Sequence, residues 1–249
     1  ANISVNATAG TCGAAVTYTA PVGTDNCPGA TTAMIAGLAS GSTFPVGATT
    51  VTYMTTDAAG LSTSCSFVVS VVDAEPPTIT CPANIVTNND AGMSGAVVSY
   101  AIPAGTDNCS WSITSMTSGI ASGGFFPVGT TTVTYQVVDV AGLSTSCSFT
   151  VTVIDADGPS ITCPANIIVN NDVDVCGAAV GYSTPVGIDN APGAITTLAA
   201  GLASGSIFPV GTTTVTYLVT DAAGLTASCS FTVTVIDVQA PVISCPANI

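Results

Sequence analysis

The chain of 249 residues carries 14 Asp and Glu and no Lys, Arg or His, a formal net charge of −14 at pH 7. Side-chain salt bridges, cation–π contacts and imidazole chemistry are therefore excluded. Nucleic acid and anionic lipid are excluded as partners too, because proteins grip both through Lys and Arg that displace counterions; metal cations remain as partners for the carboxylates.

Mean hydropathy is +0.65, yet Thr and Ser interrupt every apolar stretch, as in Ser148-Phe149-Thr150-Val151-Thr152-Val153. Nothing approaches the roughly 18 to 20 apolar residues of a membrane span, so no membrane insertion is expected. Residue 1 already lies inside a repeat, which reads as a mature or excised segment without a signal peptide. The 10 cysteines recur at fixed positions without a Cys-x-x-Cys pair or any His. That pattern points to disulfides in an oxidising compartment rather than to zinc.

An 82-residue period without insertions organises the chain. Phe-Pro-Val-Gly opens at Phe44, Phe126 and Phe208; Ser-Cys-Ser-Phe places Cys65, Cys147 and Cys229; Cys-Pro-Ala-Asn-Ile opens at Cys81, Cys163 and Cys245. Repeats are expected at 1–76 (its first strand truncated), 77–158 and 159–240, with 241–249 as the first strand of a following repeat. Domain-scale periodicity of fixed length suits stacking along an axis better than one specialised pocket.

Within a repeat, another predicted strand spans Ala14 to Tyr18, Ala96 to Tyr100 and Ala178 to Tyr182, followed by a Pro-containing loop ending in Asp-Asn. Thr131 to Asp139 alternates with period two, and Cys147 to Val153 puts Phe149, Val151 and Val153 on one face with Thr150 and Thr152 on the other. Between them Asp139-Val140-Ala141-Gly142, repeated at Asp57 and Asp221, is a turn: Asp opens it and Gly supplies a left-handed position, so each repeat ends in a long hairpin. Short strands with frequent turns and no helical window predict an all-β fold, three tandem immunoglobulin-like β-sandwich repeats of about seven strands each. Such small cores call for a staple. The linkers Asp73-Ala74-Glu75-Pro76-Pro77, Asp155-Ala156-Asp157-Gly158-Pro159 and Asp237-Val238-Gln239-Ala240-Pro241 are short and Pro-stiffened, which predicts a rod.

The motifs Thr-Cys-Pro-Ala-Asn-Ile, Thr-Asp-Asn-Cys, Phe-Pro-Val-Gly-Thr-Thr-Thr-Val-Thr-Tyr, Asp-x-Ala-Gly-Leu and Ser-Cys-Ser-Phe-Thr-Val-Thr-Val span nearly every copy. In these the chain resembles the hyalin repeat (HYR) domains. The resemblance implies immunoglobulin-fold modules of extracellular, cell-surface and adhesion proteins, often in tandem arrays, and no catalytic residues. The first copy departs from the pattern, beginning at Ala1-Asn2-Ile3 without the preceding Ile-Thr-Cys-Pro.

In that topology the first and last strands are parallel neighbours, which implies the disulfides Cys81 with Cys147 and Cys163 with Cys229. A second pair, Cys12 with Cys27, would join the segment before the second strand to the loop after it. Ser94 then leaves Cys109 odd, and Ala191 leaves Cys176 odd, either as relics of a decayed bridge or as cross-links between rods. Parity alone does not decide the connectivity, since any pairing leaves one orphan per copy. Cys65 and Cys245 lack partners in their own repeats, so head-to-tail continuity is expected to join Cys245 of one unit to Cys65 of the next, through one continuous chain or a donated strand.

The same topology gathers Asp107, Asn108 and Asp139 against Asp73 and Glu75 of the preceding linker, and Asp189, Asn190 and Asp221 against Asp155 and Asp157. Oxygen ligands so clustered suit Ca²⁺, which takes six to eight; the alternative is that these residues only form turns. No other cofactor is expected, and no enzyme, since the carboxylates recur at hairpin tips instead of flanking a cleft. Asn2, Asn6 and Asn108 match the glycosylation sequon. Trp111 stands where the other copies have Gly29 and Gly193, as incidental packing or a contact for sugar or subunits. The expected protein is an extracellular or cell-surface filament shaft or adhesin stalk that self-associates head to tail, with Ca²⁺-dependent adhesion or glycan binding as the alternative.

Overall fold

The computed structural model describes residues 1–245; within them every regular element is a strand, and no helix is long and apolar enough to cross a membrane. The last four residues of the expected strand 241–249 lie outside the described residues.

The first repeat holds β1 (Ile3–Asn6), β2 (Gly13–Ala15), β3 (Thr31–Ala36), β4 (Thr43–Pro45), β5 (Gly47–Thr56) and β6 (Ser62–Val72). A four-stranded sheet of order β1-β6-β5-β3 faces the pair β2-β4. The second repeat follows the same plan with β7 (Ile85–Asn88), β8 (Gly95–Val98), β9 (Ile113–Ser118), β10 (Gly124–Pro127), β11 (Gly129–Val138) and β12 (Ser144–Ile154). So does the third, with β13 (Ile167–Asn170), β14 (Gly177–Ala179), β15 (Ile195–Ala200), β16 (Ile207–Pro209), β17 (Gly211–Thr220) and β18 (Thr226–Ile236). The chain folds into two compact units, one comprising Ala1–Ala83, Tyr100–Ser122 and Thr132–Thr150, the other Asn84–Ser99, Gly123–Thr131 and the residues from Val151 on.

The expected long hairpin is present, β17 pairing antiparallel with β18 from Gly211↔Val235 to Thr220↔Thr226. First and last strands run parallel, as in Ile3↔Val69 and Ile167↔Val233. Each repeat has six named strands instead of seven. The remaining segment closes only an isolated bridge, Thr78↔Thr106 or Ser160↔Ile188.

Period-two alternation builds the cores. In the first repeat Ala14, Val16, Phe44, Val51, Val69 and Val71 form one buried cluster, and Ala178, Val180, Phe208, Val215, Phe231, Val233 and Val235 repeat it in the third. The predicted strand Ala14 to Tyr18 stops at Ala15. Beyond it Val16 still exchanges backbone hydrogen bonds with Ser42 and Gly41, but at Tyr18 the partner is a side chain, the Ser40 hydroxyl accepting from the Tyr18 amide at 2.8 Å and donating to the Tyr18 carbonyl at 2.7 Å. The Tyr18 hydroxyl then donates to the Leu38 carbonyl at 2.6 Å and lies 3.4 Å from the Tyr53 hydroxyl. Burial first, and then Tyr53, pushes the Tyr18 phenol up to about 12.

Candidate metal centres at the repeat junctions

Asp73, Asp107 and Asp139, and likewise Asp155, Asp189 and Asp221, sit on elements that bring them to a junction, and each junction falls within one compact unit. At the first, Asp73 follows β6, Asp107 and Asn108 lie between β8 and β9, and Asp139 opens the β11 to β12 turn. One oxygen of each Asp is spent locally: Asp73 Oδ1 accepts the Glu75 amide, Asp107 Oδ2 the Cys109 amide and Asp139 Oδ1 the Leu143 amide. The other oxygens, Asp73 Oδ2, Asp107 Oδ1 and Asp139 Oδ2, are buried without a hydrogen-bond partner, as is Asn108 Oδ1.

The second junction repeats the arrangement. Asp155 Oδ1, Asp189 Oδ2 and Asp221 Oδ1 accept the amides of Asp157, Ala191 and Leu225, while Asp155 Oδ2, Asp189 Oδ1 and Asp221 Oδ2 are buried and unpartnered. A carboxylate oxygen from each of these three lies within 4.8 Å of the others. At such a separation two carboxylates repel by about 3 kcal/mol in an effective dielectric of about 20. Asp73, Asp139, Asp155 and Asp221 are only 5 to 7% exposed, so water relieves little of this. The three grouped carboxylates of the second junction fit a hard divalent cation of the Ca²⁺ type; at the first, Asp73 and Asp107 group with the Cys109 sulfur, and Asn108 and Asp139 each add a buried, unpartnered oxygen to the same junction. The Cys109 sulfur beside them is in the disulfide with Cys12 and offers no thiolate.

Glycine lets the ligand-bearing loop lie on the sheet. A Cβ at Gly105 would come 2.5 Å from the Val137 Cβ, and one at Gly187 would strike Val219 similarly. Two predicted ligands point elsewhere, because their side chains clamp the linker to the turn of the preceding repeat. Glu75 Oε2 accepts the Gly10 amide at 2.7 Å, and Asp157 Oδ2 accepts both the Gly92 amide and Asn89 Nδ2. Asn190 reaches across its junction, its Nδ2 donating to the Met93 carbonyl at 2.8 Å.

Cys81–Cys147 and Cys163–Cys229 are bonded as expected, each with Cα atoms 5.6 Å apart. The expected Cys12–Cys27 bond is not formed. Cys12 bonds Cys109 of the next repeat across 97 positions, with Cα atoms 4.8 Å apart, and Cys27 and Cys176 are exposed thiols. A sequence signal for this existed: Ser94 and Ala191 occupy the two equivalent positions at the second junction. Pairing across junctions therefore needs one joint loss, where pairing within repeats needs two separate half-losses. Cys65 and Cys245 are also exposed thiols in the single chain.

Asn2 and Asn6 are exposed around β1, Asn2 Oδ1 accepting the Val68 amide at 3.0 Å. Asn108 is turned into the junction. Its Nδ2 donates to the Thr11 carbonyl at 2.9 Å, and its neighbour Cys109 is 4% exposed. Trp111 is 84% exposed with a φ of 79°.

The HYR domain family matches residues 1–71, 72–153 and 154–235. The chain belongs to that family. Hyalin of Strongylocentrotus purpuratus is 39% identical over 259 residues, covering 100% of this chain and 21% of that protein. Hyalin of Lytechinus variegatus is 38% identical over 245 residues, covering 95% of this chain and 46% of that protein. The three HYR repeats thus span less than half the length of either relative. Among solved structures, Drosophila N-cadherin EC1-3 covers 95% of this chain and 98% of its own at 12% identity and a TM-score of 0.35, too slight a likeness to carry an argument.

Proposed function

We propose that this chain is a structural segment of an extracellular array, in which HYR sandwiches stack head to tail as the shaft of a filament or the stalk of an adhesin. The observation that carries this reading is where the polar chemistry sits. Buried carboxylates and the Cys12–Cys109 bond lie at repeat junctions, and the strands carry hydroxyls and apolar side chains. Groups that hold neighbouring modules in register serve load-bearing; catalysis would need them around a substrate cleft, and we read the chain as a non-enzyme.

Ca²⁺ completes each junction in this proposal. Asp73, Asp107, Asn108 and Asp139 ligate it at the first, and Asp155, Asp189 and Asp221 at the second, with water filling the remaining positions. The ion neutralises carboxylates that otherwise repel, and it ties a linker to a loop and a hairpin tip of the next repeat. Calorimetric titration with CaCl₂, paired with thermal melts in EDTA, tests it: saturable binding of two ions and a raised melting temperature are expected. Identical melts with and without Ca²⁺ overturn the metal reading and leave the carboxylates as turn formers.

The second reading, an adhesion or glycan-binding array, draws support from Trp111, an exposed aromatic on a left-handed backbone in one repeat alone. Glycan-array binding lost in Trp111→Gly would favour it over the stalk.

A further inference from the structure

Cys12, Ser94 and Cys176 occupy one position of the repeat, and Cys27, Cys109 and Ala191 occupy another. The structure bonds the first position to the second position of the following repeat, Cys12 to Cys109. At the next junction both members are missing together, as Ser94 and Ala191. Cys176 and Cys27 are then not relics of an internal bridge. Each is half of a junction bond whose other half belongs to a neighbouring repeat.

Both halves keep the local frame of the bonded pair. The Cys27 amide donates to Asp25 Oδ2 at 3.0 Å, as the Cys109 amide does to Asp107 Oδ2 at 2.8 Å. The turn before Cys176 is closed by Val175 N to Asp172 O at 3.1 Å and Asp172 N to Gly177 O at 2.7 Å. Thr11 N to Thr8 O at 2.9 Å and Thr8 N to Gly13 O at 2.7 Å close the turn before Cys12. Both thiols are exposed. The carboxylates divide in the same way. Asp237 lines a hollow with Cys176, while Asp25 and Asp57 line another in the first repeat. These are the counterparts of Asp73 on one side of a junction and of Asp107 and Asp139 on the other.

We infer that Cys176 of one copy of this three-repeat unit forms a disulfide with Cys27 of the next copy. The inference rests on the head-to-tail stacking proposed above. A third repeat followed by a first repeat places a cysteine in both positions of that junction, and it gathers Asp237 with Asp25, Asn26 and Asp57 beside the bond. Oxidation proceeds by exchange with a small-molecule disulfide such as glutathione disulfide. One thiolate attacks it and expels a first thiol; the second thiolate attacks the mixed disulfide and expels another. One protein S–S bond forms, the small disulfide is reduced to two thiols, and these carry the two protons lost by Cys27 and Cys176. Two stapled junctions then follow each cysteine-free one along the array.

The test uses the assembled protein isolated without reductant, alkylated with N-ethylmaleimide and cleaved with pepsin, since trypsin has no site. The expected result is a peptide pair linked through Cys27 and Cys176, absent from a Cys27→Ser protein in which Cys176 is alkylated. Reduction followed by a denaturing gel separates the two sources of the next copy, since separate chains collapse to one 24.2 kDa species and a continuous polypeptide does not. Head-to-tail assemblies in the electron microscope with both thiols alkylated overturn the staple and leave stacking intact. Unassembled particles under the same conditions overturn stacking and the staple with it.

Discussion

Cys12 is bonded to Cys109 in the following repeat and not to Cys27 in its own. A bond closing so long a loop removes about 4 to 5 kcal/mol of chain entropy from the unfolded state in the loop-closure model. Replacing both members, Cys12→Ser with Cys109→Ala, is expected to lower denaturant stability by up to that amount. The variant should still fold, because the junction carrying Ser94 and Ala191 forms without the bond. Urea unfolding of the oxidised chain checks this, and an unchanged midpoint would show that the bond contributes nothing.

The period made every equivalent position visible in the sequence, and the alternation and turn residues gave the hairpin, while the parallel first and last strands, the Cys81–Cys147 staple and most of the carboxylate cluster followed from the resemblance to HYR domains. What a period does not state is whether a position meets its partner in the same copy or the next. Cys12 was therefore open to misassignment, and the Asn108 sequon likewise says nothing of the Thr11 carbonyl that its amide reaches. Strand β3 was illegible for another reason: as an edge strand with nearly every residue exposed, Thr31–Ala36 has no buried face to impose alternation. Glu75 and Asp157 were grouped with the ligands because linker carboxylates look alike until the Gly10 and Gly92 amides claim them.

The carboxylate clusters predict a sign reversal. Without divalent cations, Asp221→Asn removes a charge that repels Asp155 and Asp189, and it should stabilise the third repeat by about 1 to 3 kcal/mol, the scale of the repulsion relieved. With Ca²⁺ present the same variant should lose that advantage, because it forfeits a charged ligand. Melts of wild type and variant in EDTA and in CaCl₂ give the four values needed. A variant neutral in both buffers would contradict the proposed site.

Gly105 carries the loop with Asp107 over Val137, whose Cβ would lie 2.5 Å from an added Cβ. Gly105→Ala is expected to lift the loop and destabilise by about 1 to 3 kcal/mol, as overpacking does. Ca²⁺ affinity at the first junction should fall while the second is unaffected. Calorimetry resolving the two sites reads this directly.

Folding raises the phenols of Tyr18, Tyr100 and Tyr182 from 10.0 to about 12, through burial and then through the hydroxyls of Tyr53, Tyr135 and Tyr217. The folded state therefore favours the neutral phenol. This stabilisation is complete below about pH 10 and is lost as pH rises through 12. Absorbance titration at a tyrosinate wavelength should show a late component near pH 12 coinciding with loss of β-sheet circular dichroism. Tyr182→Phe keeps the ring against Phe231, with centroids 5.0 Å apart, and should shrink that component while shifting alkaline unfolding in the third repeat.

Trp111 holds a φ of 79° where Gly29 and Gly193 hold 111° and 115°. A left-handed backbone costs a residue with a side chain about 1 to 2 kcal/mol, and the indole, 84% exposed, recovers little of it by burial. Glycine loses more freedom on folding, about 0.5 to 1 kcal/mol, so Trp111→Gly should stabilise the second repeat by roughly 0.5 to 1 kcal/mol. Thermal melts measure that gain, while electron microscopy of assemblies and glycan-array binding report what the indole is for. Greater stability with lost binding or assembly would make Trp111 a contact residue held in a strained conformation for that purpose. Greater stability with both retained would remove the support for the adhesion reading, and lower stability would show that the indole packs against the fold after all.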